Sequence, residues 1–330
     1  MTLEDLLAVV LGFSLTAYAM FAGADFGAGI LDLVARRQDA ERDAIAAGIG
    51  PAWEANHVWL IFSITILFSA FPTAISALGT ALLAPFTIAL LAVVLRGAAL
   101  GLRSSQEPRN PAYVRLGTLF GAASLVAPFA FGMVAGGVAQ ASIRGVSLRG
   151  IPWAGPFAIV IGLLAIALCA LLASAFMTQR LARGGQQSLA ESFRRRGLQS
   201  GAGVLALAAL ALFVANWKAP SLSSRLLTAA LPLVIAGAVA IMASLVALAT
   251  RRYAIARICS LVAGGSLVWG WFVAQSPHLV GVGLTLHTAA ASHTALAAIA
   301  IASGIVLVAV LPSFYLLFTV FARSLPEATE

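Results

Sequence analysis

Long apolar runs recur along the whole chain, and this repetition limits what the chain can fold into more than any other feature. A helix needs about 20 mostly apolar residues to cross the hydrocarbon core of a membrane. Hydrophobic residues make up 61% of the 330 residues and charged residues only 10%, whereas a soluble domain carries about 25% charged residues. The sequence therefore predicts an all-α polytopic membrane protein and excludes a soluble or disordered chain.

Nine apolar segments are long enough to cross a membrane, which predicts about nine transmembrane helices in a single domain over residues 1–330. Several of them contain an internal proline, and membrane helices tolerate proline as a kink; these prolines are Pro85, Pro128, Pro232 and Pro312. The predicted segments cover residues 6–34, 51–70, 76–102, 113–139, 154–181, 199–216, 226–250, 254–274 and 290–322.

Basic residues are divided unequally between the two sides of the predicted spans. Arg144, Arg149, Lys218 and Arg225 lie on one side, and the other 16 of the 20 basic residues lie on the opposite side. Because cytoplasmic loops are enriched in Lys and Arg, the N-terminus is predicted to lie outside and the C-terminus in the cytoplasm. This role in topology accounts for the net charge of +8 without a nucleic-acid partner.

Few charged residues fall well inside predicted spans, where each costs several kcal/mol unless it is paired or hydrated, and Asp32 lies near the inner end of the first span. Asp25, Glu54 and Arg96 lie roughly 13, 5 and 10 Å from the cytoplasmic ends of their spans, at about 1.5 Å per helical residue. Two acids and a base that lie at different depths in the cytoplasmic half of the membrane favour a proton path that is reached from the cytoplasm. A structural ion-pair cluster that holds the first three spans together is the alternative, and the residues alone leave both open.

The neighbours of these charges suit close helix packing. Gly23 and Gly27 are four residues apart on one helix face, and small residues at this spacing allow a second helix to approach closely. Glu54 follows a proline that suits a helix first turn, where the helix dipole favours an acid. Trp53 and Trp59 are interpreted as interfacial anchors or as aromatic packing.

The histidines do not form a metal or haem site by their spacing. Glu54 and His57 have the Glu-x-x-His spacing of di-metal carboxylate bundles, but the second copy that such a site needs is missing. His278 and His287 fall in the loop before the last predicted span, and His293 lies near the outer end of that span. No metal is therefore expected, and no haem held by this chain alone.

Residues 21–31 and 50–60 resemble the N-terminal signature of cytochrome bd quinol oxidase subunit II. The signature is approximately Gly-x-Asp-Phe-Gly-x-Gly, a basic loop, and then Gly-Pro-x-Trp-(Asp/Glu)-x-Asn-x-x-Trp-Leu, and this sequence fits each position. The resemblance continues more weakly through Arg96-Gly97 and through residues 275–292. The short loops are closer to the cyanide-insensitive branch of this family.

This resemblance implies two four-helix bundles, at about residues 1–139 and 140–275, followed by a peripheral last helix and tail at 276–330. It implies a heterodimer with a homologous subunit I in the bacterial inner membrane. Subunit I would hold haem b and haem d, and the complex would oxidise membrane quinol and reduce oxygen to water in an electrogenic reaction. This chain would carry no catalytic residue and would stabilise subunit I.

The resemblance also assigns site residues. Asp25 and Glu54 fall on the family's buried acids of the cytoplasmic proton route, beside Arg96. Trp53, Asn56 and Trp59 fall on the polar and aromatic shell around them. Glu54 stands where many relatives have the shorter Asp, which shifts the carboxylate by about one methylene group.

Two other functions remain open at this stage. A secondary transporter could use the Asp/Glu/Arg cluster as a substrate site, although the second half of the chain offers no matching acids. A purely structural assembly subunit would use the acids only to bind helices together. The sequence also leaves open which quinone is used, whether a quinone or lipid is bound structurally, whether a small accessory subunit is present, how oxygen enters and whether the complex is cyanide-sensitive.

Overall fold

The computed structural model describes residues 2–35, 39–48, 52–107, 110–140, 143–144, 147–148, 152–281 and 283–323. Helices account for most of them, which confirms the prediction of an all-α polytopic membrane protein. The helices are α1 (Leu3–Val34), α2 (Asp39–Gly48), α3 (Ala52–Ala70), α4 (Pro72–Ala81), α5 (Leu83–Ser104), α6 (Pro111–Gln140), α7 (Pro156–Arg183), α8 (Gln187–Lys218), α9 (Pro220–Leu226), α10 (Leu231–Ala249), α11 (Tyr253–Gln275), α12 (Leu286–Ala289) and α13 (His293–Arg323).

Two short antiparallel hairpins interrupt the helices. β1 (Ile143–Arg144) pairs with β2 (Ser147–Leu148) between α6 and α7. β3 (His278–Val280) pairs with β4 (Leu284–Thr285) between α11 and α12. Both hairpins lie in connections that the sequence predicts to be on the outer side, so they leave the helical core uninterrupted.

Within the described residues, eight helices are long and apolar enough to cross a membrane, or nine if the bent pair α3–α4 forms one crossing. The axes of α3 and α4 differ by 114°. The third predicted span, 76–102, is therefore wrong at its start, because residues up to Ala81 belong to α4 and α5 begins at Leu83. Pro85, in the first turn of α5, has no N–H to donate to Ala81, so the chain breaks before it instead of kinking within a span.

The sixth predicted span is too short for a different reason. Residues 199–216 are only the apolar part of α8, which begins twelve residues earlier at Gln187. Its polar first turns form a helix because Glu191 pairs with Arg194 and Arg195 at spacings of three and four residues, which stabilise helices. Hydropathy detects the membrane-embedded part of a helix and misses such an extension.

α1 and α7 lie at the centre of the fold. α1 packs against α3, α6, α7 and α11, and α7 packs against α1, α6, α8 and α11. A Cβ atom on Gly27 would lie 1.9 Å from the main-chain oxygen of Cys169, and one on Gly23 would lie 3.1 Å from Leu172. The two glycines therefore allow α1 and α7 to approach closely, which fixes the depth at which the α1 acids lie.

Candidate functional site

Asp25 of α1 and Arg96 of α5 form a buried ion pair. Arg96 Nη2 lies 2.6 Å from Asp25 Oδ1, and the side chains are 1% and 11% exposed. Arg96 Nη2 also donates to the main-chain oxygen of Asp25 at 3.2 Å. The arginine is thus held by both the carboxylate and the backbone of the same residue, while part of the carboxylate stays accessible.

Further contacts hold Arg96 independently of the Asp25 carboxylate. Its Nε atom donates to Ser124 Oγ of α6 at 2.9 Å. Its guanidinium lies 5.2 Å from the ring centroid of Phe26 and 4.9 Å from that of Phe120, within cation–π range. Ser124 can reach this place because Gly29 has no side chain, since a Cβ there would lie 2.1 Å from Ser124 Oγ.

A second ion cluster lies two helical turns further along α1. Asp32 is 1% exposed; its Oδ1 accepts from Arg42 Nε of α2 at 3.3 Å and its Oδ2 from Arg103 Nη1 of α5 at 3.0 Å. Arg103 also donates to the hydroxyl of Tyr113 at 3.2 Å, with its guanidinium 4.4 Å from the Tyr113 ring centroid. Both carboxylate oxygens of Asp32 therefore have a cationic donor.

The Asp25–Arg96 and Asp32–Arg103 pairs form a ladder of two ion pairs between α1 and α5. The sequence interpretation did not predict the second pair. Asp32 follows Asp25 by seven residues and Arg103 follows Arg96 by seven residues, so each pair lies on one face of its helix. The prediction treated Arg103 as a loop charge and Asp32 as lying near the inner end of the span. Matched seven-residue spacing of acids on one span and bases on another was the signal that could have revealed the ladder.

The structure places only part of the predicted α3 site. Glu54 and Trp53 belong to the first turn of α3 by their backbone, and their side chains lie outside the described residues. Asn56 is 4% exposed and Trp59 is 2% exposed. His57, to which the sequence assigned no role, is half-buried and within electrostatic range of both Asp25 and Arg96.

Trp59 packs inside the fold and its main chain joins α1 to α3. Its carbonyl oxygen lies 2.8 Å from Ser14 Oγ and 2.9 Å from Ser63 Oγ, and the two hydroxyl oxygens lie 2.8 Å from each other. The ring lies edge-on to Phe13 at 5.7 Å. Of the two interpretations of Trp59, aromatic packing agrees with this position.

A third buried acid, also missed, lies on α2. Glu41 is fully buried, its Oε2 lies 2.5 Å from Arg196 Nη2 of α8, and its Oε1 accepts from Ser192 Oγ. The acid falls in a connection that the sequence predicts to be cytoplasmic, and a loop acid gives no signal of burial in hydropathy.

The described histidines lie on four different elements of the fold. No group of three His, Cys, Asp or Glu side chains gathers within the described residues. His278 lies in β3, His287 in α12 and His293 at the first residue of α13, and His287 Nδ1 lies 3.8 Å from Glu4 Oε1. Three of the four histidines thus lie at or beyond helix ends, which does not suit an axial pair for a haem in the membrane interior.

The fold of this chain matches that of a solved protein. A chain in the structure of bd oxidase from Geobacillus thermodenitrificans superposes with a TM-score of 0.81, covering 98% of this chain and 100% of that chain at 23% identity. At this identity the likeness shows the fold alone.

The matches to sequence relatives cover a smaller part of the chain than the structural match does. The cytochrome bd ubiquinol oxidase subunit 2 of Bacillus subtilis is 30% identical over 133 residues, which are 40% of this chain and 39% of that protein. The cytochrome bd-I ubiquinol oxidase subunit 2 of Escherichia coli is 29% identical over 133 residues, 40% of this chain and 35% of that protein. The sequence model of the family described as cytochrome bd terminal oxidase subunit II matches residues 3–321, so this multi-pass protein of the bacterial inner membrane belongs to that family.

Proposed function

We propose that this chain acts as subunit II of a bd-type quinol:oxygen oxidoreductase, where it stabilises subunit I and carries protons inward from the cytoplasm. Glu54 would receive the proton first, and Asp25 would pass it on at greater depth. The chain itself would hold no redox group. Charge separation would then follow from proton uptake on one side and proton release on the other.

The Asp25–Arg96 pair is the observation that carries this proposal. A carboxylate that carries protons must be able to become neutral without leaving a buried cation unsupported. Arg96 keeps the Ser124 hydroxyl, the Asp25 main-chain oxygen and two aromatic faces when Asp25 is protonated. The 11% exposure of the Asp25 side chain supports proton exchange with its surroundings.

The haems and the quinol site are assigned to subunit I in this proposal. The relatives from Bacillus subtilis and Escherichia coli are ubiquinol oxidase subunits by name, which supports a membrane quinol as the electron donor. Three of the four histidines lie at or beyond helix ends, which supports placing both haem b and haem d in the partner.

The orientation and the division into bundles are also proposals. The 16 basic residues on one side support a cytoplasmic C-terminus. Bundles at about 1–139 and 140–275 are supported by the packing of α5 on α6, α7 on α8 and α10 on α11. The exposed apolar residues along α13, among them Ile301, Ile305 and Val308, support its place at the periphery.

Replacing Glu54 by Gln in the assembled complex tests the proton route. The amide keeps most of the size and hydrogen bonding but cannot carry a proton. We expect normal haem content with most quinol oxidation lost, because one relay position is closed. Glu54→Asp should retain activity, since its carboxylate still exchanges protons. Turnover is measured as oxygen uptake per haem d.

Glu107→Gln is the matched control. Glu107 is an exposed acid in the connection between α5 and α6, predicted to lie on the same side of the membrane, and its loss should leave turnover unchanged. Full turnover of a well-assembled Glu54→Gln complex would remove Glu54 from the route.

A purely structural role is the second candidate, and it also has an observation in its favour. Asp25, Asp32 and Glu41 each have an arginine partner, as expected for acids that bind helices together. In that case Glu54→Gln would lower the yield or the haem retention, and the complexes that survive would turn over normally.

A further inference from the structure

The short helix α2 carries two adjacent charged side chains that are both buried. Glu41 is 0% exposed and Arg42 is 9% exposed, although α2 lies in a connection between spans. Ile45, also on α2, is buried among residues of α1, α7 and α8. α2 is therefore packed into the end of the helix bundle, and its charges are not part of a solvated loop.

Glu41 fixes one side of α2 to α8. Arg196 Nη2 and Ser192 Oγ contact the two different carboxylate oxygens. The Arg196 guanidinium also lies 5.5 Å from the ring centroid of its neighbour Phe193. Because both carboxylate oxygens are hydrogen-bonded to residues of α8, Glu41 suits an anchor between α2 and α8.

Arg42 fixes the other side of α2. Its Nε atom contacts Asp32 of α1, and its Nη2 atom would lie 2.6 Å from a Cβ placed on Gly117 of α6. The guanidinium therefore fills space that a side chain on α6 would otherwise take. With Glu41 bound to α8, α2 is tied to both halves of the chain.

The end of α2 is equally restricted, and it leads directly to Glu54. A Cβ on Gly48, the last residue of α2, would lie 2.8 Å from Met177 Sδ and 3.1 Å from Arg180 Nη1 of α7. Only residues 49–51 separate Gly48 from Ala52, the first residue of α3. At no more than about 3.6 Å per residue, the start of α3 must lie within roughly 14 Å of Gly48.

We infer that Glu41 and Arg196 are a positioning pair for the proton inlet: by holding α2 against α8, they set the place of the first turn of α3 and hence of Glu54. This inference rests on the proposed proton route. It assigns a role to α8, although the chain from residue 108 to residue 326 contains a single acid, Glu191. The second half would serve the inlet by position and not by proton chemistry.

The test is a double-mutant cycle in the assembled complex with Glu41→Gln, Arg196→Met and both together. Each single change removes the ion pair and leaves the charge or amide that remains in a buried place. We expect each to lower kcat for quinol oxidation by at least about tenfold, because small displacements of a reacting group have large effects on rate. KM for quinol and haem content should stay unchanged. The double variant should lose no more than a single one, because both residues act through one contact.

Arg195→Gln is the matched control. It removes the same charge from the adjacent residue of α8, which is 73% exposed and pairs only with Glu191 of its own helix among the described residues. Its kcat should equal that of the unmodified complex. Unchanged kcat in Glu41→Gln, or a double variant whose loss is the product of the single losses, would overturn the inference.

Ser192→Ala covers the case in which Glu41→Gln yields no complex. It removes one hydrogen bond to Glu41 and keeps the ion pair, so the fold should survive. A fall in kcat at constant KM supports the positioning role, and an unchanged kcat overturns it. If Glu54→Gln is inactive while the α2 variants are normal, only this inference fails; if Glu54→Gln is fully active, the proton route itself fails.

Discussion

Asp25 and Asp32 lie two turns apart on the same helix, and both face arginines of α5, yet their surroundings differ. Asp25 has one arginine partner and its side chain is 11% exposed. Asp32 has two arginine partners and is 1% exposed. Besides the Asp25 carboxylate, Arg96 has the Ser124 hydroxyl and the Asp25 main-chain oxygen as acceptors, whereas Arg42 and Arg103 converge on Asp32. The same residue type on the same helix thus occupies two electrostatic environments.

This difference supports different roles for the two acids within the proposed proton route. Neutralising Asp25 leaves one arginine, which keeps a hydroxyl, a main-chain oxygen and two aromatic rings. Neutralising Asp32 leaves two buried arginines without their shared counter-ion, and like charges at short distance repel strongly in a low-dielectric interior. On the proposed proton route, Asp25 would be the acid that exchanges protons during turnover, and Asp32 would only bind α1 to α2 and α5.

The largest effect on stability is expected from Asp32→Asn. The change removes the only charge that compensates both Arg42 and Arg103 among the described contacts of this cluster. Removing one partner of a buried ion pair costs about 3–5 kcal/mol, and two arginines are affected here. Thermal unfolding of the purified complex measures the loss. Asp43→Asn, at an exposed position of α2, is the control and should leave the midpoint unchanged.

Asp25→Asn should reduce turnover more than it reduces stability. Because Arg96 keeps its other acceptors, we expect a stability loss of only about 1–3 kcal/mol, with assembly and haem content retained. Quinol oxidation should fall at least about tenfold, because an amide cannot carry a proton. Oxygen uptake and thermal unfolding are measured on the same preparation. If Asp25→Asn unfolds as easily as Asp32→Asn and still turns over normally, the distinction between the two acids is wrong.

The sequence predicts those site residues whose charge is unusual inside an apolar membrane span. Asp25 and Arg96 stand out because charged residues are rare in apolar spans. Arg103, Arg42 and Glu41 do not stand out, because charges near span ends are common. Only the fold brings those three against buried partners, through the packing of α2 and the reach of long arginine side chains.

In the fold, too, some features can be predicted from the sequence and others cannot. The number and type of the crossing helices follow from apolar length: the nine predicted compare with eight among the described residues, or nine if α3 and α4 form one crossing. The sequence placed a boundary between spans at residues 71–75, but the bend into a separate short helix α4 was not predicted, because the chain continues apolar from Ser76 into α5. Pro72 and Pro85 mark the breaks, but proline is also found inside membrane helices, as Pro128 and Pro312 are here, so the residue type alone cannot locate a break.

The smallest losses of stability are expected from removing the hydroxyl groups that bind the two arginines of α5. These variants compare the surroundings of Arg96 and Arg103 directly. Ser124 is fully buried, so Ser124→Ala leaves Arg96 Nε without an acceptor and should cost about 1–3 kcal/mol. Tyr113 is half-buried, and Phe keeps the ring face that Arg103 stacks on. Tyr113→Phe should therefore cost at most about 1 kcal/mol, since water can replace the lost hydroxyl.

The two hydroxyl variants should also differ in turnover. Arg96 orients the carboxylate that is proposed to exchange protons, so Ser124→Ala should lower oxygen uptake several-fold while Tyr113→Phe leaves it unchanged. Both variants are compared by thermal unfolding and oxygen uptake in one preparation each. Equal turnover losses would mean that Asp25–Arg96 and Asp32–Arg103 serve the same purpose, and the ladder on α1 would then be a structural element along its whole length.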